Sequence, residues 1–288
     1  MPLRIGITLG DPAGIGPEVV RAAINSGRLP QGVEYQCIGE LAGSVPGKPT
    51  PESARAALAA LDQAAQLVRT GKINAIVTGP IHKARMAEVG FAFPGQTEFF
   101  AARAEVTNFA MLLTADAITV ALVTTHIPLR EVPNALTKSE IVRVGKLLTN
   151  FLWTRGNHRP RIAVAGLNPH AGESGRLGRE EIETIAPAIE QLRHAEREAE
   201  FDGPTSPDTL FFHLVRGDWD AALCMYHDQG LIPLKLHGFD RGVNVTLGLP
   251  FPRTSPDHGT AFDIAGKNMA RPDSMIAAIN LAVELSGK

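Results

Sequence analysis

The chain has 288 residues, with 28 Lys and Arg against 30 Asp and Glu and a formal net charge of −2, so it offers no general attraction to nucleic acid or an anionic membrane. With 44% apolar and 20% charged residues it has the composition of a globular enzyme, long enough for one large domain or two intimately joined lobes, and two lobes are favoured. No stretch of about 18 apolar residues could span a bilayer, and "MPLRIGITLG" enters a strand without a signal-type apolar core, so a cytoplasmic protein is expected.

Strand-like runs occur at "LRIGITLG", "YQCIG", "INAIVTG", "ITVALVTT", "RIAVAGLN", "DAALCMY" and "GVNVTLG". They alternate with stretches of apolar spacing near 3.6 residues, of which the clearest are helices over about 51–70, 138–155 and 179–199. Alternation of this kind predicts an α/β fold with a mainly parallel sheet. Cys37 and Cys224 both fall in apolar strand-like text, where a small buried thiol is expected rather than a disulfide or a nucleophile.

The first strand runs into "GDPAGIGPEVV", with Gly10, Gly14 and Gly16 before a helix that Pro17 can open. The spacing is not G-x-G-x-x-G, so a tight turn packed near a substrate site is expected rather than a dinucleotide fingerprint. Further on, "TGPIHKARM" supplies His82 and Lys83, and "GQTEFF" places Thr97 at a helix start, where backbone N–H groups favour an anion.

Three apolar runs then end in histidine: "AITVALVTTH" at His126, "RIAVAGLNPH" at His170 and "DAALCMYHDQG" at His227. One histidine at a strand end is usually a hydrogen-bonded structural residue, but in open parallel sheets ligands bind beyond the carboxyl ends of the strands. Recurrence at three such ends predicts that the imidazoles meet, and three imidazoles with a fourth position open describe a catalytic metal site. Asp228 is placed to orient a ligand or to bind the metal itself.

After the third histidine come Lys235, Arg241, Asn244 and Arg253, cationic and amide groups suited to a phosphate or carboxylate. The loop "SPDHGTAFDIAGKNMARPDSM" offers His258, Gly259, Thr260 and Asn268 around what could be an adenosine.

Taken together, "GDPAGIGPE", "VTGPIHK", "PGQTEFF", "TTHIPLR", "GLNPHAGE", "GPTSPDTLF", "MYHDQGLIPLK" and "GVNVTLGLPFPRTSPDHGTAFDIAG" resemble the 4-hydroxythreonine-4-phosphate dehydrogenase family of vitamin B6 biosynthesis, over nearly the whole chain. Residues 40–55 look shorter than the family usually has. The last motif also resembles the adenosine loop of the isocitrate and isopropylmalate dehydrogenases, so the resemblance implies their two-lobed fold. It places a first, coenzyme-binding lobe at 1–95 plus about 250–288 and a second lobe, with metal ligands and dimer interface, at about 96–249.

By resemblance, His126, His170 and His227 bind one divalent cation (zinc, magnesium or cobalt) shared between both chains of a homodimer. Gln96, Thr97, Lys235, Asn244 and Arg253 contact a small phosphorylated hydroxy amino acid, and NAD or NADP is the coenzyme. The implied reaction oxidises 4-phosphooxy-L-threonine at C3 and decarboxylates the product, with Lys235 and Asp228 as catalytic residues. The family commonly has His where this chain has Gln96, which offers an amide but cannot titrate. That departure keeps open a relative acting on a phosphorylated four-carbon sugar acid or a dihydrodiol carboxylate. A catalytically inactive metal- and phosphate-binding regulator is the alternative from another class.

Overall fold

The computed structural model describes residues 2–41 and 43–287. The chain begins β1 (Leu3–Thr8), α1 (Gly16–Ile24), β2 (Val33–Ile38), α2 (Pro51–Arg69), β3 (Ala75–Thr78), α3 (Lys83–Glu88) and α4 (Gln96–Arg103). It continues β4 (Ala110–Ala115), β5 (Ile118–Leu122), α5 (Val132–Ala135), α6 (Lys138–Thr154), β6 (Arg161–Ala165), α7 (Ala186–Ala195), β7 (Glu200–Thr205), α8 (Pro207–Val215), β8 (Ala221–Cys224) and α9 (His227–Gly238). It closes with β9 (Val243–Leu247), β10 (Arg253–Pro256) and α10 (Asp273–Leu285). No helix among the described residues is long and apolar enough to cross a membrane.

Two compact units result, one from residues 1–107 and 240–288 and the other from residues 108–239. In the first unit β1 lies between β2 and β3, all parallel, β10 continues parallel to β3, and β9 closes antiparallel to β10. β3 is buried at every residue, which is why it reads as a continuous apolar run. α2 starts at a Thr50 cap reinforced by Ser53 and buries Leu61 together with Ala54, Ala57, Ala60, Ala64 and Ala65, an otherwise small-residue face.

In the second unit β5, β8, β6 and β7 run parallel in that order, and β4 pairs antiparallel with β5. The α/β class and mainly parallel pairing match expectation. Three strands were not legible. β4 joins β5 by a two-residue turn with Asp116 at φ 50°, where no Asn-Gly or Gly signal marks a hairpin. β7 ("EFDGPT") is an outer strand with only Phe201 buried, and β10 ("RTSP") is polar text made into a strand by its position between β3 and β9.

The helix expected over 179–199 is shorter. A π-helical turn at Glu181–Ile185 precedes α7, as Pro187, with no N–H and a ring that crowds the preceding turn, would favour. Cys37 also departs from expectation: it lies exposed on β2, whereas Cys224 is buried and burial raises its thiol pKa.

Candidate functional site

β5, β8 and β6 are neighbours and parallel, so their carboxyl ends open on one edge of the second unit. His126 follows β5, His170 follows β6, and His227 follows β8 as the first residue of α9. The His126 and His227 rings lie 5.5 Å apart between centroids. His227 Nδ1 is 2.7 Å from Asp228 Oδ1; an ionised carboxylate only accepts, so Nδ1 carries the proton and the Nε2 lone pair is left available.

His170 is not part of that pair within one chain. Among the described residues no three His, Cys, Asp or Glu side chains are gathered to hold a metal. His170 is exposed and near Asp208, whose carboxyl is held below its ordinary value first by the Ser206 hydroxyl and to a smaller extent by the His170 imidazole. From His170 to Ser174 the backbone is left-handed at every residue, with φ between 45° and 77°. Four of these residues are not glycine, and left-handed backbone costs about 1–2 kcal/mol at each, so the turn persists only because its neighbours hold it.

Behind the histidines the strand ends are bolted together by buried groups that sequence reading missed. Thr124 Oγ1 donates to the Met225 carbonyl at 2.7 Å. Met225 N donates to Gln229 Oε1 at 2.7 Å, and Gln229 Nε2 donates to the Gly166 carbonyl at 2.7 Å. The one signal available was the amide in "MYHDQG", four residues past an apolar run yet destined for burial. Lys235 lies eight residues past His227 on α9, about 12 Å along the axis, with its side chain leaning toward the imidazole end as helical side chains do.

The first unit holds a second cluster. Arg253, on β10, is 3% exposed. Its Nη2 donates to Thr78 Oγ1 at 2.5 Å and Gln96 Oε1 at 3.2 Å, and its Nη1 to Thr246 Oγ1 at 3.3 Å. Thr246 Oγ1 is 3.2 Å from the buried Thr97 hydroxyl at the start of α4. Arg253 Nε and Asn244 Oδ1 are buried with no hydrogen-bond partner. Burial pushes the guanidinium down to about 10, with the nearby Glu98 carboxylate opposing the shift, so Arg253 is charged at neutral pH while bonded only to neutral groups. Gln96 Nε2 donates to the Gly79 carbonyl at 3.2 Å, which fixes the amide so that its oxygen faces Arg253.

In the same unit the loop after β10 packs on the glycine turn. Ile15 N donates to the Thr260 carbonyl at 2.9 Å, and a side chain at Gly14 would meet that carbonyl oxygen at 2.7 Å, which explains the glycine. Asp11 N donates to the Pro80 carbonyl at 2.9 Å, and Glu18 Oε2 accepts from Gly266 N at 2.8 Å. His258 Nε2 is buried without a partner, and burial lowers its pKa, so the ring is neutral at pH 7. Gly259 and Asn268 are exposed, Asn268 at φ 56°.

Residues 19–282 match the family described as pyridoxal phosphate biosynthetic protein PdxA. The chain belongs to the PdxA family. A 4-hydroxythreonine-4-phosphate dehydrogenase of Desulforapulum autotrophicum is 43% identical over 96% of this chain and 94% of that protein. The crystal structure of 4-hydroxythreonine-4-phosphate dehydrogenase from Klebsiella pneumoniae superposes with a TM-score of 0.82 at 36% identity, covering 99% of this chain and 100% of that one. A β-decarboxylating dehydrogenase from Thermococcus kodakarensis, 18% identical over 99% of this chain and 84% of that one with a TM-score of 0.57, shares the fold. The PdxA match runs from α1 to α10, so both the imidazole pair and the Arg253 cluster lie inside it.

Proposed function

We propose that this chain oxidises 4-phosphooxy-L-threonine at C3 with NAD or NADP and releases CO2 to give 3-amino-2-oxopropyl phosphate. The observation that carries the reading is Arg253: a buried cation hydrogen-bonded only to neutral side chains, with its Nε–H left without a partner, has the chemistry of a phosphate receptor. The relatives' own name, 4-hydroxythreonine-4-phosphate dehydrogenase, supplies the substrate class.

The donor set suits a divalent cation. His126 and His227 of one chain would hold it, with His227 oriented by Asp228, and His170 would come from a second copy, since within one chain it does not join the pair. Imidazoles favour zinc or cobalt over magnesium, which prefers oxygen ligands. A homodimer also accounts for α9, which begins at His227 and carries Ile232 and Leu236, with Phe239 directly after its last residue, 65%, 88% and 70% exposed. A second copy would cover this stripe. The unpartnered His258 Nε2, with Gly259, the buried Thr260 and Asn268, would meet the coenzyme.

A cation held by these imidazoles would supply Lewis-acid polarisation at the C3 oxygen, and a coenzyme held beside His258 and Thr260 would supply the hydride acceptor. Arg253, Thr97 and Asn244 anchor the phosphate. Lys235 takes the hydroxyl proton and returns a proton to C2 after the carboxylate leaves as CO2. Lys235→Met is expected to lower kcat by about 10²-fold or more. Turnover within about tenfold of wild type, a loss of about 1.4 kcal/mol, would remove Lys235 from proton transfer.

Product stoichiometry tests the reaction itself. One CO2, measured by carbon-14 release from carboxyl-labelled substrate, is expected per coenzyme reduced. Coenzyme reduction without CO2 would contradict the decarboxylating reading.

A further inference from the structure

The loop that carries His170 is gripped from within by a carboxylate that no part of the reaction uses. Glu181, at the start of the π-helical turn, is 3% exposed. Its Oε1 accepts Leu167 N at 2.8 Å and Asn168 N at 2.7 Å, and its Oε2 accepts Asn168 Nδ2 at 3.0 Å. The left-handed turn wraps onto the same group: a side chain at Gly172 would lie 2.6 Å from Glu181 Oε2, and one at Gly166 would lie 3.2 Å from Oε1. On the other side Gly166 is held through its carbonyl by Gln229 at 2.7 Å and through its N–H by the Thr205 carbonyl at 2.8 Å.

A buried carboxylate aimed at two successive backbone amides is a strong and directional clamp. The two amides it clamps, of Leu167 and Asn168, lead directly into the turn that keeps four non-glycine residues left-handed and presents His170. An exposed imidazole on an unsupported loop would sample many positions, whereas a metal ligand needs one.

We infer that Glu181 is a positioning residue that sets where His170 stands as a metal ligand. This rests on the reading of His170 as a ligand. The purified full chain is titrated with Co2+ by calorimetry in the wild type, E181A, E181Q, H170A and the H170A/E181A double variant. Outer-shell partners of metal ligands typically contribute 10–100-fold, so E181A is expected to weaken Co2+ binding by about tenfold or more. E181Q keeps an acceptor for both amides and is expected to stay within about threefold of wild type. The double variant is expected to bind no more weakly than H170A alone, because Glu181 acts only through His170. Should E181A fail to fold, E181D, which withdraws the acceptor by one methylene, takes its place in the same comparison. Independent, additive losses from H170A and the Glu181 variant, or H170A alone weakening binding, would overturn the role of Glu181 while leaving His170 a ligand. Unchanged Co2+ affinity in H170A would overturn the ligand reading and the inference with it.

Discussion

Arg253→Met is expected to lower kcat/KM for 4-phosphooxy-L-threonine by about 10²–10³-fold, the loss of roughly 3–4 kcal/mol of charge-assisted hydrogen bonding. Most of that loss falls on KM, because the phosphate is bound equally in ground and transition states. Stability moves differently. Burial already depresses the guanidinium pKa, and its hydrogen bonds go to Thr78, Gln96 and Thr246, none of them charged. Removing a buried charge whose hydrogen-bond partners are all neutral, while filling its volume with an apolar chain, costs the fold little, so the melting midpoint is expected to change by no more than about 3 °C. Steady-state kinetics and thermal denaturation on the same preparation check both parts. A variant with normal KM but a collapsed melting point would make Arg253 a structural residue.

Two inactive variants are expected to rescue one another. His170→Ala and His227→Ala should each lower turnover by about 10³-fold, because removing one of three imidazoles leaves the cation without its open, three-ligand seat. If the site takes His126 and His227 from one chain and His170 from its partner, a mixed dimer of the two variants holds one intact site and one doubly defective site. Statistical reassociation then restores about a quarter of wild-type activity, half of the dimers being mixed with half of their sites intact. The separation of His170 from the 5.5 Å His126–His227 pair is what motivates the experiment. Mixing without recovery would mean that all three imidazoles of a site belong to one chain.

The parts of the fold that could be read in the sequence are those where one force dominates. β3, β5 and β8 are buried throughout and appear as unbroken apolar runs, and α2 and α6 have Thr caps and regular apolar faces, so their limits were found nearly to the residue. The histidines at strand ends were legible because polar side chains interrupted strong strand signals at three separate places. Tertiary context decided the rest. Nothing local in "RTSP" announces β10, yet that strand delivers Arg253. Nothing in "NPHAGESG" beyond two glycines announces a left-handed turn that includes His170, Ala171, Glu173 and Ser174, and the Glu181 carboxylate that holds the lead-in residues Leu167 and Asn168 is more than ten residues away in sequence. Glu181 itself sits in "REEIETI", which reads as an exposed helix face. Cys37 was misread because an apolar-looking edge strand need not be covered on both faces.

The most direct test of the whole account is absorbance at 340 nm as purified, metal-reconstituted protein meets 4-phosphooxy-L-threonine with NAD+ or with NADP+, beside a sample stripped with EDTA. Reduction of one coenzyme in the metal-loaded sample, abolished by stripping and restored by zinc or cobalt, is the predicted result. A folded protein that binds metal and coenzyme yet reduces neither with this substrate, or that reduces them equally well after stripping, would contradict it.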